Sequence, residues 1–435
     1  MEQILNSLGM KGDLMTAKLF LNRNRKRRIE AGQPWVYQSE VNRLEGRVDD
    51  NAIVQIVNHQ GVFLALGTYN PESQIIARVL SYRTDEVFDE NFFRQRFEEA
   101  FAYRHRMLGN IESCRAVYGE ADFLPGLIVD KYADVLSVQI LSLGMERFKA
   151  QIRSALMAVF QPRGIFLRND VPVRRLEGLA LETSVWMGDV PEKVEIEENG
   201  MRFVVDIREG QKTGYFFDQR ENRAAIKPLM SGWSQSSQNG SEDNRLHENP
   251  DSSTFRERGA DVLECFCHTG AFTVHAAKYG ARHVTAVDIS APAIEVAKEN
   301  ARLNGVDDLI DFVEANAFDF LRDEETSGRN YDVVILDPPA FAKSRRALEG
   351  AIRGYKEINL RGLKLVRDGG FLVTASCSYH LRPEMFKEVI LDAAFDAHKV
   401  LRLVHWAGAG KDHPEIAGVD EGHYLKFAIY EVRSR

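Results

Sequence analysis

The sequence predicts an α/β protein built around a doubly wound, Rossmann-like sheet, preceded by a β-rich N-terminal domain and a central α+β domain. Three observations carry this. From residue 261 onward strand and helix patterns alternate, and the strands are unbroken apolar runs such as VVIL (333–336) and FLV (371–373), as parallel strands covered on both faces require. Residues 1–83 show short strand-like segments separated by turns and a local charge of +3, in a chain whose net charge is -8. Between them, residues 84–200 mix long helical patterns with strands in short succession.

Composition narrows the class further. With 435 residues, 44% hydrophobic and 28% charged, the chain can bury sizeable cores, which excludes collagen-like, wholly disordered and coiled-coil organisations. No apolar run approaches the ~18 residues of a membrane span. The opening MEQILNSLGMKGD has no secretory leader pattern, so a cytoplasmic protein without membrane attachment is expected. Cys114, Cys265, Cys267 and Cys377 are too few and scattered for a disulfide framework and are expected as free thiols.

In chain order, LNRNRKRRIEAGQPWVY places five cations (Arg23, Arg25, Lys26, Arg27 and Arg28) before a Gly32/Pro34 break and the aromatic pair Trp35 and Tyr37. Such a run suits nucleic-acid phosphates, but by itself it is as readily a solvated face. AIVQIV and GVFLALGTYN then read as short strands. NFFRQRFEEAFAYRHRML has helical periodicity, FLPGLIVDKY and DVLSVQILSL read as strands, ERFKAQIRSALMAVF as a second helix, and GIFLRND as another strand. MRFVVDIREGQKTGYFFDQRENRAAI reads as a hairpin-like pair running into a helix near Asp218. Residues 231–258 hold seven Ser and three Asn but one Leu, too little apolar surface to order themselves, and are expected as a flexible insertion.

In doubly wound sheets ligands sit at the carboxyl ends of the strands. There the first strand ends in Glu264-Cys265-Phe266-Cys267-His268-Thr269-Gly270, with a single glycine, so the three-glycine pyrophosphate cradle is absent while Gly270 still permits close backbone approach. Asp288, 18 residues after Gly270, ends the second strand and can accept ribose hydroxyls; Asn316, followed by Ala317, ends the third and suits an adenine edge. One glycine, a ribose acid and no phosphate cradle favour S-adenosyl-L-methionine over a nicotinamide dinucleotide. The fourth strand ends in Asp337-Pro338-Pro339-Ala340-Phe341, a rigid turn that fixes a carboxylate, and the fifth in Thr374-Ala375-Ser376-Cys377-Ser378, which brings a thiol to the crevice. Cys265 and Cys267 with His268 fall short of zinc spacing, so no metal is expected.

Residues 15–435 resemble the 23S rRNA (cytosine-C5) methyltransferase family of the RlmI type. The matching text is KTGYFFDQRENR (212–223), ECFCHTGAF (264–272), AVDIS (286–290), LDPPAFAKS (336–344), GYKEIN (354–359), SCSYHL (376–381) and DHPEIAGVDEGHYLK (412–426). The resemblance implies a PUA-like RNA-binding domain (15–83), a central α+β domain (84–200) and a class I methyltransferase domain (201–435) carrying the 231–258 insertion. It implies that GQPWVY, with Trp35, belongs to the RNA-binding module. It also implies that Lys212, Thr213, Phe217, Asp218, Gln219 and Arg220 line the cofactor site together with Glu264, Phe266, Gly270, Asp288, Asn316, Ala317 and Asp337. Glu264 departs from the Asp common in methyltransferases. Residues 1–14 form an extension before the usual start, with Met15 as a candidate initiator.

The chemistry this implies is covalent. C5 of cytosine is a poor nucleophile, so a thiolate must first add to C6; Cys377 is the candidate nucleophile, and Asp337 the acid that stabilises charge at N3. A target base inside folded rRNA must be flipped out or single-stranded. Methylation of guanine N7 or an exocyclic amine, and a non-catalytic rRNA-binding assembly factor, are the alternatives. The expected partner is ribosomal RNA, and a homodimer is compatible with the sequence.

Overall fold

The computed structural model describes residues 17–48, 53–109, 111–210, 214–234, 257–342, 344–417, 419 and 422–435. The 1–14 extension, Lys212, Thr213 and residues 235–256 of the 231–258 insertion lie outside the described residues. At the insertion's two ends Trp233–Ser234 pairs antiparallel with Glu257–Arg258. The chain divides into two compact units: residues up to 194 with 205–217 and 411–422, and residues 195–204, 218–410 and 423–435.

The first unit contains two sheets. One has six strands in the order Trp35–Tyr37, Ile75–Ser81, Phe63–Tyr69, Ile53–Val57, Lys18–Leu21, Val41–Glu45. Its alternating apolar residues, among them Leu19, Val54, Ile56, Ala65 and Val79, form one core. The other has five strands, in which Gly164–Asn169 runs parallel to Val135–Ile140. Parallel pairing needs a crossover. It is supplied by helices Leu143–Arg147 and Lys149–Phe160, which correct the single helix expected over 146–160: the chain leaves helical geometry at Phe148 (φ -94°, ψ 14°). Helix Glu90–Leu108 starts where Asp89 accepts the Phe92 amide (3.0 Å), and it buries Phe92, Phe93 and Phe97. The basic run 23–28 forms turns rather than a helix or strand.

The hairpin expected downstream of Met201 lies upstream instead. Met201–Asp206 pairs with Lys193–Glu198 across Asn199-Gly200, both at positive φ (52° and 79°), as a tight two-residue hairpin turn demands. The domain boundary expected at residue 200 falls in this turn, and the division between the two units runs through both of its strands.

The second unit is a seven-stranded sheet in the order Ile310–Glu314, His283–Asp288, Asp261–Cys265, Tyr331–Leu336, Val366–Ser376, Lys426–Ser434, Lys399–Ala407. The first five are parallel, as the apolar runs required; Lys426–Ser434 then runs antiparallel to them and Lys399–Ala407 antiparallel to Lys426–Ser434, which the sequence patterns did not anticipate. The class I arrangement expected from the resemblance is the one found. Helix Leu348–Leu365, amphipathic through Ala351, Tyr355, Ile358 and Leu363, and helix Pro383–Asp396, through Phe386, Val389 and Ile390, bury these faces with sheet residues Leu263, Val334, Leu336 and Leu372.

Candidate cofactor and catalytic site

The five contiguous parallel strands deliver their carboxyl ends to one edge of the second unit. The loop after Asp261–Cys265 is unusual: Phe266 (φ 66°), His268 (49°) and Gly270 (78°) all adopt left-handed backbone. Such conformations cost about 1–3 kcal/mol for non-glycine residues and persist only where the surroundings fix them. Here they are fixed. The Cys267 amide donates to Val287 O (3.0 Å), the Gly270 amide to Cys267 O (2.8 Å), and the buried Asn300 amide group to Thr269 O (2.9 Å). At Gly270 a Cβ would stand 2.9 Å from Ala297 Cβ, so only glycine lets helix Ala271–Lys278 pack there.

Asp288 closes this loop from the second strand. Its carboxylate accepts the His268 amide (2.8 Å) at one oxygen and the Ser290 amide (2.9 Å) at the other. The expected ribose acid is thus also the anchor of the glycine loop. Asn316 and Ala317 begin helix Ala317–Ser327. Asn316 Oδ1 accepts the Phe318 amide (2.9 Å), an N-cap, and the residue is exposed. Glu264 sits at the end of the first strand and is 1% exposed; Thr273 Oγ1 donates to its carboxylate. Burial, reinforced by the charges of Asp337 and Asp288, pushes the Glu264 carboxyl up to about 8. Phe266 is half-buried and meets Phe318 and Phe341 edge-on.

The segment ending DQRENR lies beside these strand ends. Asp218 accepts the Tyr424 hydroxyl (2.5 Å), and its carbonyl takes the Gly410 amide (2.8 Å). Gln219 Nε2 donates to Asp337 Oδ2 (3.0 Å), while Asn222 Nδ2 donates to Gln219 Oε1 (2.7 Å). Arg223 makes two bonds to the buried Glu198 (2.5 and 3.0 Å), with Arg220 3.6 Å away. Phe217 belongs by compactness to the first unit, where it packs on Tyr132 and Tyr215.

The thiols separate clearly. Cys265 and Cys267 are buried, which pushes both well above the ordinary thiol range, and Cys114 is also buried. Cys377 is only partly buried and its Sγ lies 3.8 Å from Pro338 O, so the fifth-strand thiol and the Asp337-Pro338-Pro339 turn meet. Ser378 ties these two loops together: its Oγ accepts the Ala342 amide (3.1 Å) and meets the Tyr355 hydroxyl (2.9 Å). Neither Ser378 nor Tyr355 had been assigned a role from sequence, nor had Lys426. The visible signal for Lys426 was a lysine opening the apolar strand KFAIYEV.

In the first unit, Arg25 pairs with Glu30 through two bonds (2.9 and 2.7 Å) and Arg28 lies 5.2 Å over the Tyr37 ring. Arg23, Lys26 and Arg27 are exposed. Trp35 is part-buried, its indole N–H donating to Glu120 (2.9 Å).

Comparison with known proteins gives these positions a family. Residues 19–82 match the model of a PUA-like domain and residues 256–408 that of a methyltransferase domain. A ribosomal RNA large subunit methyltransferase I from Pseudoalteromonas translucida is 37% identical over 96% of this chain and 100% of its own. A protein of the same name from Klebsiella pneumoniae is 37% identical over 95% and 98%. Among solved structures, a Streptococcus mutans protein described as a candidate SAM-dependent methyltransferase superposes with TM-score 0.75 at 19% identity, over 95% of this chain and 99% of its own, and shares the fold. With near-complete coverage at this identity, the chain belongs to the ribosomal RNA large subunit methyltransferase I family.

Proposed function

We propose that this protein is an S-adenosyl-L-methionine-dependent methyltransferase of large-subunit ribosomal RNA, acting in the cytoplasm and forming 5-methylcytosine in 23S rRNA through a covalent Cys377–cytosine adduct. The PUA-like (15–83), central (84–200) and methyltransferase (201–435) divisions are part of the same proposal. The observation that carries it is the placement of Cys377. It is the one cysteine among the four that is not buried, and it stands at a parallel strand's carboxyl end against the Asp337-Pro338 turn.

The residues present fit the cofactor. A left-handed loop with Gly270 admits close approach, Asp288 ends the second strand, and Glu264 is a buried acid with no guanidinium or ammonium within ion-pair distance among the described residues. A ligand carrying a sulfonium and an ammonium suits such an excess of acid. When bound, S-adenosyl-L-methionine supplies an electrophilic methyl group.

This chain's residues perform the rest. The Cys377 thiolate adds to C6 of the flipped cytosine, and the electron pair displaced onto the ring makes C5 nucleophilic. Asp337, held by Gln219 and taking up a proton as the cytosine enters, donates that proton in a hydrogen bond to N3 and so stabilises the negative charge that develops there. After C5 is methylated, loss of its proton to a base returns an electron pair to the C5–C6 bond and expels the Cys377 thiolate.

RNA carrying 5-fluorocytosine has no C5 proton to lose, so a denaturant-stable protein–RNA band is expected. Cys377→Ala should abolish both band and methylation while binding cofactor normally. Cys265→Ala and Cys267→Ala should retain activity. Normal methylation by Cys377→Ala overturns the thiol mechanism, and nucleoside mass analysis of the product would then show whether a guanine or an exocyclic amine is the target.

A further inference from the structure

Lys426 is a buried cation that the catalytic proposal does not use. It opens the final long strand, Lys426–Ser434, is 1% exposed, and lies opposite Ser376, the last residue of the strand before Cys377, in the antiparallel register. Its Nζ donates to Ser378 O (2.7 Å) and to Tyr424 O (2.8 Å). Neither acceptor is charged, and among the described residues Lys426 has no carboxylate partner. A buried ammonium without a counter-ion is costly, so an anion that forms beside it is stabilised.

We propose that Lys426 is a positioning residue for Cys377: it holds the Ser378 carbonyl, and so the Cys377 turn, and its charge keeps the Cys377 sulfur ionised. The thiol proton leaves to solvent while Lys426 keeps its own. This rests on the assignment of Cys377 as the reactive thiol. The groups around the sulfur agree with it. From the helix Leu348–Leu365 comes Tyr355, whose hydroxyl burial pushes up to about 12, so it stays neutral. From the preceding turn come the Pro338 carbonyl and, one residue earlier, Asp337; Tyr379 and His380 follow on Cys377's own loop, and Tyr424 flanks Lys426 with its hydroxyl on Asp218. Of these groups, Lys426 carries the fixed positive charge. Burial pushes Lys426 down to about 8, and Cys377 is the neighbour that opposes the shift. Attraction is mutual, so the same interaction draws the thiol down.

The test is the pH dependence of Cys377 alkylation by iodoacetamide in the full chain, read by mass on the Cys377 peptide. In the unmodified protein the midpoint should lie below the ordinary thiol value of about 8.5. A midpoint at or above that value overturns the proposal without any variant being made. Lys426→Gln, which keeps a hydrogen-bond donor, should raise the midpoint by about one unit or more, slowing alkylation at neutral pH about tenfold. Lys426→Arg should restore it. An unshifted midpoint in a folded Lys426→Gln protein that still binds S-adenosyl-L-methionine also overturns it. These outcomes are independent of the methylation assay: normal methylation by Cys377→Ala defeats the covalent mechanism, whereas an ordinary alkylation midpoint defeats only the role of Lys426.

Discussion

The two ends of the seven-stranded sheet treat their acids in opposite ways. At the amino ends, Asp332 is saturated: Arg258 supplies two bonds (2.6 and 3.0 Å), Arg367 one (2.7 Å) and the Asp261 amide another (2.9 Å). Asp261 in turn pairs with Arg282 and Arg367. These partners outweigh the burial of Asp332 and hold its carboxyl below the usual range. At the carboxyl ends, Glu264 has one hydroxyl and Asp288 two backbone amides, and neither has a cation within ion-pair distance among the described residues. Acids whose charge is met inside the protein hold it together. Acids whose charge is not met are poised for something that arrives.

The largest expected effect is at the saturated end. Asp332→Ala leaves Arg258 and Arg367 only the more distant carboxylate of Asp261 (3.5 and 3.4 Å) and should destabilise the second unit by about 3 kcal/mol. Chemical denaturation checks this, and folded protein should bind S-adenosyl-L-methionine as before. If affinity falls instead of stability, the two ends do not divide as described.

At the other end the order should reverse. Asp288→Ala should cost about 2–3 kcal/mol of cofactor affinity, the worth of a charge-assisted hydrogen bond to hydroxyls. Because Asp288 also holds the His268 and Ser290 amides, the alanine variant should loosen the loop as well. Asp288→Asn keeps an acceptor and separates the two roles: calorimetry should show weakened binding with nearly unchanged stability.

The legibility of these features follows the same division. Unbroken apolar strands and amphipathic helices announce themselves by periodicity, which is why the five parallel strands and most helices were readable. The last two strands were not, because Lys399–Ala407 leaves Val400, Leu403 and Val404 exposed and lacks a clean alternation. Strand-end residues were readable as positions but not as roles. Nothing local reveals that Asp288 anchors the glycine loop through the His268 amide, or that Gln219 reaches Asp337 across 118 residues. Lys426 was missed because its importance is a matter of what is absent around it, a fact of packing.

The comparison extends to the basic run of the first unit. Arg25, whose side chain is 7% exposed, is bound to Glu30, and Arg28 covers Tyr37, whereas Arg23, Lys26 and Arg27 face solvent. Only the second group is available to phosphates. Replacing Arg23, Lys26 and Arg27 with Gln should weaken binding to ribosomal RNA and reduce its log–log salt slope by up to about 0.7–0.9 for each phosphate no longer neutralised. Replacing Arg25 and Arg28 should leave the slope nearly unchanged. Equal losses from both sets would mean that internal partners do not decide which cations meet RNA.

The smallest effect is also the most specific to the unsaturated acids. In the folded protein Glu264 holds its proton to about 8, whereas in the unfolded chain it ionises near its ordinary value of 4.5. Its contribution to stability is therefore fully present below 4.5, declines as pH rises between the two values and is lost once pH passes about 8. A cationic ligand favours the ionised form, so binding at pH 7 should expel a proton. The number released is below one, and S-adenosyl-L-methionine should bind more tightly as pH rises toward 8 before levelling off. Calorimetry at pH 7 in buffers of different ionisation enthalpy measures the release directly. Asp337→Asn, which removes one of the charges opposing ionisation, should diminish it, and Glu264→Gln should eliminate it. Wild-type binding that exchanges no protons would show that the charge of Glu264 is met by something other than the cofactor, and the contrast between the two ends of the sheet would fail at its most buried acid.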